Sequence, residues 1–302
     1  MSLLFITFFA SIQYIFYAGV PSNFSNFGFL FITSLIGFII LFLVFFNELF
    51  RIDRKHIMQC LILSVESLAY NFFLLLGANS FDSTTVSSIV SSYFLFIPII
   101  EFLLYKTMPK PNVIVAIVFV VIGVFLIMGM DYRNILNPSI IFLIITDIII
   151  SLNIITIGKF AKGSNPAILA MGQLFFNTIF AFICFAVESK IKMTSIRMPR
   201  EPLFWGSVIF ISFFLRGLYT VVQVYAQRYT SPINVSLIFS TELIMTLFFS
   251  NFISNYFGFP VEPQAIGLMK IIGVVLMLIG IFLSDNDIRD IYKIFYKKKK
   301  LV

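Results

Sequence analysis

The chain has 302 residues, of which 60% are hydrophobic and only 12% are charged, and its formal net charge is +7. Its mean hydropathy is +1.02, whereas an average soluble domain has about 25% charged residues. A chain of this composition cannot cover its surface with polar side chains. The composition therefore excludes an ordinary soluble domain and predicts a helical membrane protein.

Apolar runs close to the ~20 residues needed to cross a bilayer follow one another along the whole chain, with short polar breaks between them. We predict ten spans, at 3–20, 27–46, 57–77, 83–106, 112–130, 139–158, 166–188, 203–226, 232–256 and 264–283. The first run has no basic segment before it and no small-residue cleavage site, so we expect a retained helix rather than a signal peptide. The predicted fold class is an all-α membrane protein with about ten transmembrane helices.

The positions of Lys and Arg predict the orientation. If both termini are cytosolic, most basic residues fall on that side, and the loop at 189–201 is the exception. The positive charge is then expected to face the membrane surface, not a nucleic acid. The segment 285–302 ends in "KKKKLV" and is predicted to be a basic cytosolic tail against the lipid. Its end also resembles a di-lysine retrieval signal of the endoplasmic reticulum, and both explanations stay open.

Two segments of the chain resemble each other: "FDSTTVSSIVSSYFLFIPIIEFLLYK" at 81–106 and "YTSPINVSLIFSTELIMTLFFSNFI" at 229–253. Each is followed by an apolar run with two small residues seven positions apart. These small residues are Ala116 and Gly123 in the first run and Gly273 and Gly280 in the second. Five spans per copy is an odd number, so the second copy would cross the membrane inverted. The sequence thus predicts two inverted five-helix repeats, 1–133 and 134–284, followed by the tail; the alternative is that small residues simply recur in membrane bundles.

Two longer patterns extend this similarity: "YNFFLLLGANSFDSTTVSSIV" in the first half and "YTVVQVYAQRYTSPINVSLIFSTEL" in the second. In these patterns the chain resembles the drug/metabolite transporter superfamily, which includes bacterial EamA-type exporters and eukaryotic solute carriers related to nucleotide-sugar transporters. The resemblance implies the ten-helix fold and a transport function, and it leaves the substrate open. The chain departs from EamA-type sequences at Glu242-Leu243, where a Glu-Pro pair is common, and it lacks their Gly-Glu pair near Tyr105 and Asn255.

Charged residues near the middle of predicted spans are the first candidates for a site, because each costs about 2.5–3.5 kcal/mol at the bilayer centre unless it faces a partner or water. These residues are Glu66, Asp147, Arg216 and Glu242. At 1.5 Å per residue, Arg216 and Glu242 both lie about 15 Å from the same membrane face. A short turn joins their helices, so we expect neighbouring helices and a charge pair, which is either a structural clamp or a contact for substrate or a coupling proton.

Polar and aromatic residues at similar depth complete the predicted substrate-binding site: Tyr70, Asn71, Tyr93, Asn153, Tyr219 and Gln223. Arg216, Tyr219 and Gln223 have the spacing i, i+3, i+7 of one helical face. The planar guanidinium of Arg216 suits a carboxylate or phosphate group. No catalytic motif, metal cluster or cofactor motif is recognisable, so we expect neither an enzyme nor a bound metal or cofactor.

The leading prediction is a secondary transporter of a small polar metabolite, with an anionic substrate left open, that works by alternating access. The alternative within transport is an EamA-like exporter of amino acids or drugs. The alternative from another class is a non-transporting membrane scaffold or receptor. The expected partners are a small-molecule substrate and membrane lipids, with homodimerisation left open. The expected location is the endoplasmic reticulum or Golgi membrane in a eukaryote and the inner membrane in a bacterium.

Overall fold

The computed structural model describes residues 2–17, 19–21, 23–81, 83–106, 111–127, 137–191, 198–230, 232, 235, 238, 239, 241–257 and 267–285. These residues form helices and connecting turns, and none of them lies in a strand. The basic tail beyond residue 285 and residues 192–197 of the loop at 189–201 lie outside the described residues. The predictions about those two segments therefore stay predictions.

The helices, in chain order, follow the apolar runs of the sequence. They are α1 Ser2–Tyr17, α2 Asn26–Phe45 with a 3-10 extension Phe46–Arg51, α3 Arg54–Ala78, α4 in three segments (Ser83–Val90, Ser91–Leu95 and Phe96–Tyr105), α5 Pro111–Ile127, α6 Ile140–Ala161, α7 Pro166–Ile191, α8 in three segments (Pro202–Phe210, Ile211–Tyr219 and Thr220–Gln227), α9 Glu242–Phe257 and α10 Leu268–Asp285. At the start of α3, the backbone N–H of His56 donates to Asp53 Oδ1 at 2.8 Å. This bond keeps the pKa of the Asp53 carboxyl group below its ordinary value.

Two of these helices change their hydrogen-bond register partway along. In α4 the segment Ser91–Leu95 is a 3-10 helix, and in α8 the segment Ile211–Tyr219 is a π-helix. Neither change was predicted, because the apolar pattern is continuous through both segments. Such departures from the α-helix often mark hinges and functional sites.

Six helical stretches are long and apolar enough to cross a membrane: Asn26–Arg51, Arg54–Ala78, Thr85–Tyr105, Ile140–Ala161, Pro166–Ile191 and Pro202–Gln227. Large apolar side chains on their outer faces are exposed, as at Leu43 and Ile191. Lipid, not water, is the solvent that such a surface requires. The other predicted spans match shorter described helices, so the ten-span count and the inverted repeat stay predictions.

Helices α5 and α10 pack against each other through the small residues that match between the two halves. A Cβ atom on Gly123 would lie 2.6 Å from the carbonyl oxygen of Gly273, and one on Gly280 would lie 2.9 Å from that of Ala116. Side chains larger than hydrogen therefore do not fit at these glycines. Because the earlier position on α5 meets the later position on α10, the two helices run antiparallel. The contact is also reciprocal: replacing each residue by its counterpart in the other half turns the Gly123–Gly273 contact into the Gly280–Ala116 contact.

Candidate functional site

A cavity of about 70 Å³, lined by several polar side chains, lies between α1, α3, α4, α6, α8 and the start of α9. The predicted site residues that line it are Tyr70, Asn71, Tyr93, Asn153, Arg216, Tyr219, Gln223 and Glu242. Apolar clusters close the cavity on either side, one containing Tyr17, Leu74 and Val90 and the other containing Ile154 and Phe239. Eight of the ten predicted site residues are thus brought together at one place.

Arg216 supplies the positive charge of the cavity. It lies in the π segment of α8 and is only 6% exposed. Its Nε and Nη2 atoms are buried and have no hydrogen-bond partner. On its other side α2 approaches closely, because a Cβ atom on Gly37 would lie only 2.5 Å from Cβ of Arg216. Gly37 therefore permits the packing that holds the backbone of Arg216 in place, while the guanidinium keeps free donors.

Glu242 supplies the negative charge of the cavity and is held by α1. Gln13 donates from Nε2 to Oε1 of Glu242 at 3.2 Å, and Tyr14 of the same helix also lines the cavity. One turn further along α9, Thr246 Oγ1 lies 2.9 Å from the carbonyl oxygen of Ser11. These contacts fix α9 to α1 and set the position of the carboxyl group at the cavity.

The predicted charge pair between Arg216 and Glu242 is wrong. Among the described residues, the acid–base contacts within ion-pair distance are Arg51–Glu48 and His56–Asp53, both at the end of the bundle where α2 meets α3. The reason is the position of α1, which packs against both the π segment of α8 and α9 and provides Glu242 with its partners. Tyr219 of α8 stacks instead on Phe239, which precedes α9 in the chain, with ring centroids 5.4 Å apart.

Two of the predicted site residues, Glu66 and Asp147, do not line this cavity. Glu66 accepts hydrogen bonds from Nδ2 of Asn153 at 3.1 Å and Oγ1 of Thr156 at 2.9 Å, and so joins α3 to α6. Asp147 is fully buried and accepts a hydrogen bond from Oγ of Ser92 at 2.7 Å, which joins α6 to the 3-10 segment of α4. Sequence depth alone could not show this, because it gives the height of a residue and not the direction of its side chain.

The sequence prediction missed the wall of the cavity that α1 provides. Gln13, Tyr14 and Tyr17 line this wall, and Thr220 adds a hydroxyl group from α8. The signal that could have found them is Gln13, a polar residue inside the apolar run of the first span. An uncharged amide costs little to bury when it is hydrogen-bonded, so it attracts less attention than a charge.

The cavity presents a guanidinium and a carboxyl group that do not neutralise each other. Five tyrosines surround them: Tyr14, Tyr17, Tyr70, Tyr93 and Tyr219. Such a site offers a charge-assisted donor for an anion, an acceptor for a cation, and aromatic faces that also attract cations. Within the described residues no group of three or more His, Cys, Asp or Glu side chains could hold a metal ion.

Long apolar helices around a buried polar centre define an integral membrane protein. The family model described as "EamA-like transporter family" matches residues 1–129 and 137–284. The chain therefore belongs to the EamA-like transporter family, and it is a membrane transporter of the drug/metabolite type. The resemblance to the drug/metabolite transporter superfamily is confirmed, and Leu243 in place of the common proline does not prevent the match.

A solved structure described as "Crystal structure of protein" resembles this chain with a TM-score of 0.63 at 13% sequence identity, over 94% of this chain and 96% of the other. At this identity the likeness shows the fold alone. No curated protein matches the chain in sequence.

Proposed function

We propose that this protein is a secondary transporter of a small polar metabolite, and that Arg216 binds an anionic group of the substrate in the central cavity. The observation that carries this proposal is the guanidinium itself, which is buried, always charged, and has two nitrogens without a partner. An unpaired buried charge is costly inside a membrane. A transient anionic ligand accounts for its retention, whereas a structural clamp would show a permanent partner.

Alternating access between the two halves is the proposed mechanism. The cavity of about 70 Å³ is well below the roughly 300–1,000 Å³ of typical ligand sites, so helices must move apart to admit a metabolite. The reciprocal packing of α5 on α10 supports two inverted repeats, because a two-fold relation makes each contact occur twice. Movement of one half against the other about such an axis exposes a central site to each side in turn.

Glu242 favours a second candidate, an exporter of amino acids or drugs. Its carboxyl group faces the same cavity as Arg216 without pairing with it. A substrate that also carries an ammonium group would place that group near Glu242 and the tyrosine rings. A purely anionic substrate would leave this acceptor unused, so the two candidates differ in the charge that the substrate carries.

Flux in proteoliposomes tests the proposal. A panel of anionic, zwitterionic and cationic metabolites should show uptake of at least one class by the wild-type protein. Arg216→Gln should reduce that uptake by roughly 10-fold to 100-fold, since hydrogen bonds to charged groups contribute about 1.5–3 kcal/mol each. Arg228→Gln is the matched control, because Arg228 is an exposed arginine at the end of the same helix. Normal flux in Arg216→Gln would contradict the binding role, and no flux for the whole panel would favour a scaffold or receptor.

For the compartment we propose the endoplasmic reticulum if the chain comes from a eukaryote. The support is the terminal sequence "KKKKLV", whose lysines fit a retrieval signal. In a bacterium the same lysines would serve the positive-inside rule at the inner membrane.

A further inference from the structure

One face of α8 carries a continuous row of buried polar side chains. Arg216, Thr220, Gln223 and Gln227 follow one another at the spacing i, i+4, i+7, i+11, which keeps them on one side of a helix. The first three line the central cavity. Gln227 does not line it, although it is 0% exposed and is the last residue of α8. The row therefore extends one helical turn, about 6 Å, past the cavity toward the end of the helix.

The amide group of Gln227 has no partner in this conformation. Both Oε1 and Nε2 are buried without a hydrogen bond. An unpaired buried amide is costly, and such groups in native proteins call for a specific explanation. A second conformation in which water reaches the amide would explain it, because the free-energy cost of the unpaired amide then applies only in the closed conformation.

An apolar cluster borders the cavity and packs against α8 near its end. Ile154 and Phe239 line the cavity and also belong to this cluster, together with Leu3 and Ile6 of α1 and Val235. Val222 and Ala226 of α8 pack against the cluster, and Ala226 lies between Gln223 and Gln227 along the helix. Gln227 directly follows Ala226, so it lies next to the part of α8 that packs against this apolar cluster.

We infer that the route between the cavity and the membrane face at the C-terminal end of α8 runs along this polar row, and that Gln227 is its gate residue. When the apolar cluster separates, the Gln227 amide hydrogen-bonds to water and to polar groups of the passing substrate. This inference rests on the proposed transport function. It adds that the polar face of α8 forms the route.

Cysteine labelling tests the route without a substrate. The background is Cys60→Ser with Cys184→Ser, which replaces both free cysteines. Gln227→Cys in nanodiscs should react with a small water-soluble methanethiosulfonate reagent in the folded protein. Val224→Cys is the matched buried control, because Val224 is also 0% exposed but packs in the apolar cluster with Leu169. It should stay unreactive until the protein is denatured, and Gln227→Cys that is equally unreactive would overturn the inference.

A second variant keeps the test independent of how Gln227→Cys folds. Gln227→Leu replaces the unpaired amide by an apolar group of similar size and should favour the closed conformation. The reaction of Thr220→Cys in the cavity should then slow roughly tenfold, which corresponds to a shift of about 1.4 kcal/mol. An unchanged Thr220→Cys rate would show that the cavity opens by another route. Absence of flux for every substrate contradicts the proposed transport, whereas these labelling outcomes bear only on the route.

Discussion

Gly37 provides the sharpest test of how the helices set the geometry of the site. It lies on α2 opposite Arg216, and an added Cβ atom would be 2.5 Å from Cβ of Arg216 and 3.3 Å from the carbonyl oxygen of Ser212. Ordinary contact begins at 3.4 Å, so Gly37→Ala must separate α2 and α8 by about 1 Å. No side-chain rotation relieves the first contact, because both atoms are fixed directly to the backbone.

Overpacking of this kind costs about 1–3 kcal/mol in well-packed cores. Gly37→Ala should therefore lower the thermal unfolding temperature in nanodiscs, and it should reduce flux further than the loss of folded protein explains, because Arg216 moves with its helix. The measurement is a thermal unfolding scan followed by flux normalised to folded protein.

Gly206→Ala on α8, the helix that carries Arg216, is the matched control. Nothing lies within 4 Å of a Cβ atom built there, and alanine is favoured over glycine in a helix by about 1 kcal/mol. We expect this variant to be at least as stable as the wild type. If Gly37→Ala proves as stable and as active as Gly206→Ala, the close approach of α2 to α8 at Arg216 is refuted.

Further expectations concern the charges, the topology and the tail. Because Arg216 and Glu242 do not pair, the Arg216→Gln, Glu242→Gln double variant should change the free energy of unfolding by the sum of the two single changes, to within about 0.5 kcal/mol. A double variant more stable than that sum would indicate an ion pair and contradict the structure. A tag at the C-terminus and a probe in the loop 51–56 should report the cytosol and a probe at 189–201 the opposite side, so labelling of all three on one side would contradict the inverted repeat. In a eukaryotic cell, exchange of the last two lysines of "KKKKLV" for serine should move the protein to later compartments, as seen by microscopy, and an unchanged distribution would leave only the electrostatic explanation.

Much of the helical fold was predictable because a bilayer imposes a simple rule on sequence. A segment that crosses lipid must satisfy its backbone internally and present apolar side chains, so length and hydropathy locate it. The predicted spans 57–77 and 203–226 correspond to Arg54–Ala78 and Pro202–Gln227 in the structure. The small residues of α5 and α10 were also visible in sequence as a repeated spacing, and they lie at the contact between the two helices.

The candidate site was predictable only in part. Depth in the membrane follows from counting residues at 1.5 Å each, and this count brought Arg216 and Glu242 to the level of one cavity. It also included Glu66 and Asp147, whose side chains turn to neighbouring helices. The direction of a side chain depends on helix rotation, which an almost uniformly apolar helix does not encode in its own pattern.

The sequence by itself determined the class of protein, the six stretches that are long and apolar enough to cross a membrane, and the charges that lie within apolar runs, because each follows from local composition and length. Only the tertiary structure decided which of those charges meet. It packed α1 against both α8 and α9 and gave Glu242 its partners there, and it left the guanidinium of Arg216 with unpaired donors at the cavity. The physical reason is that lateral packing of helices in lipid depends on contacts between residues far apart in sequence, which no single segment specifies.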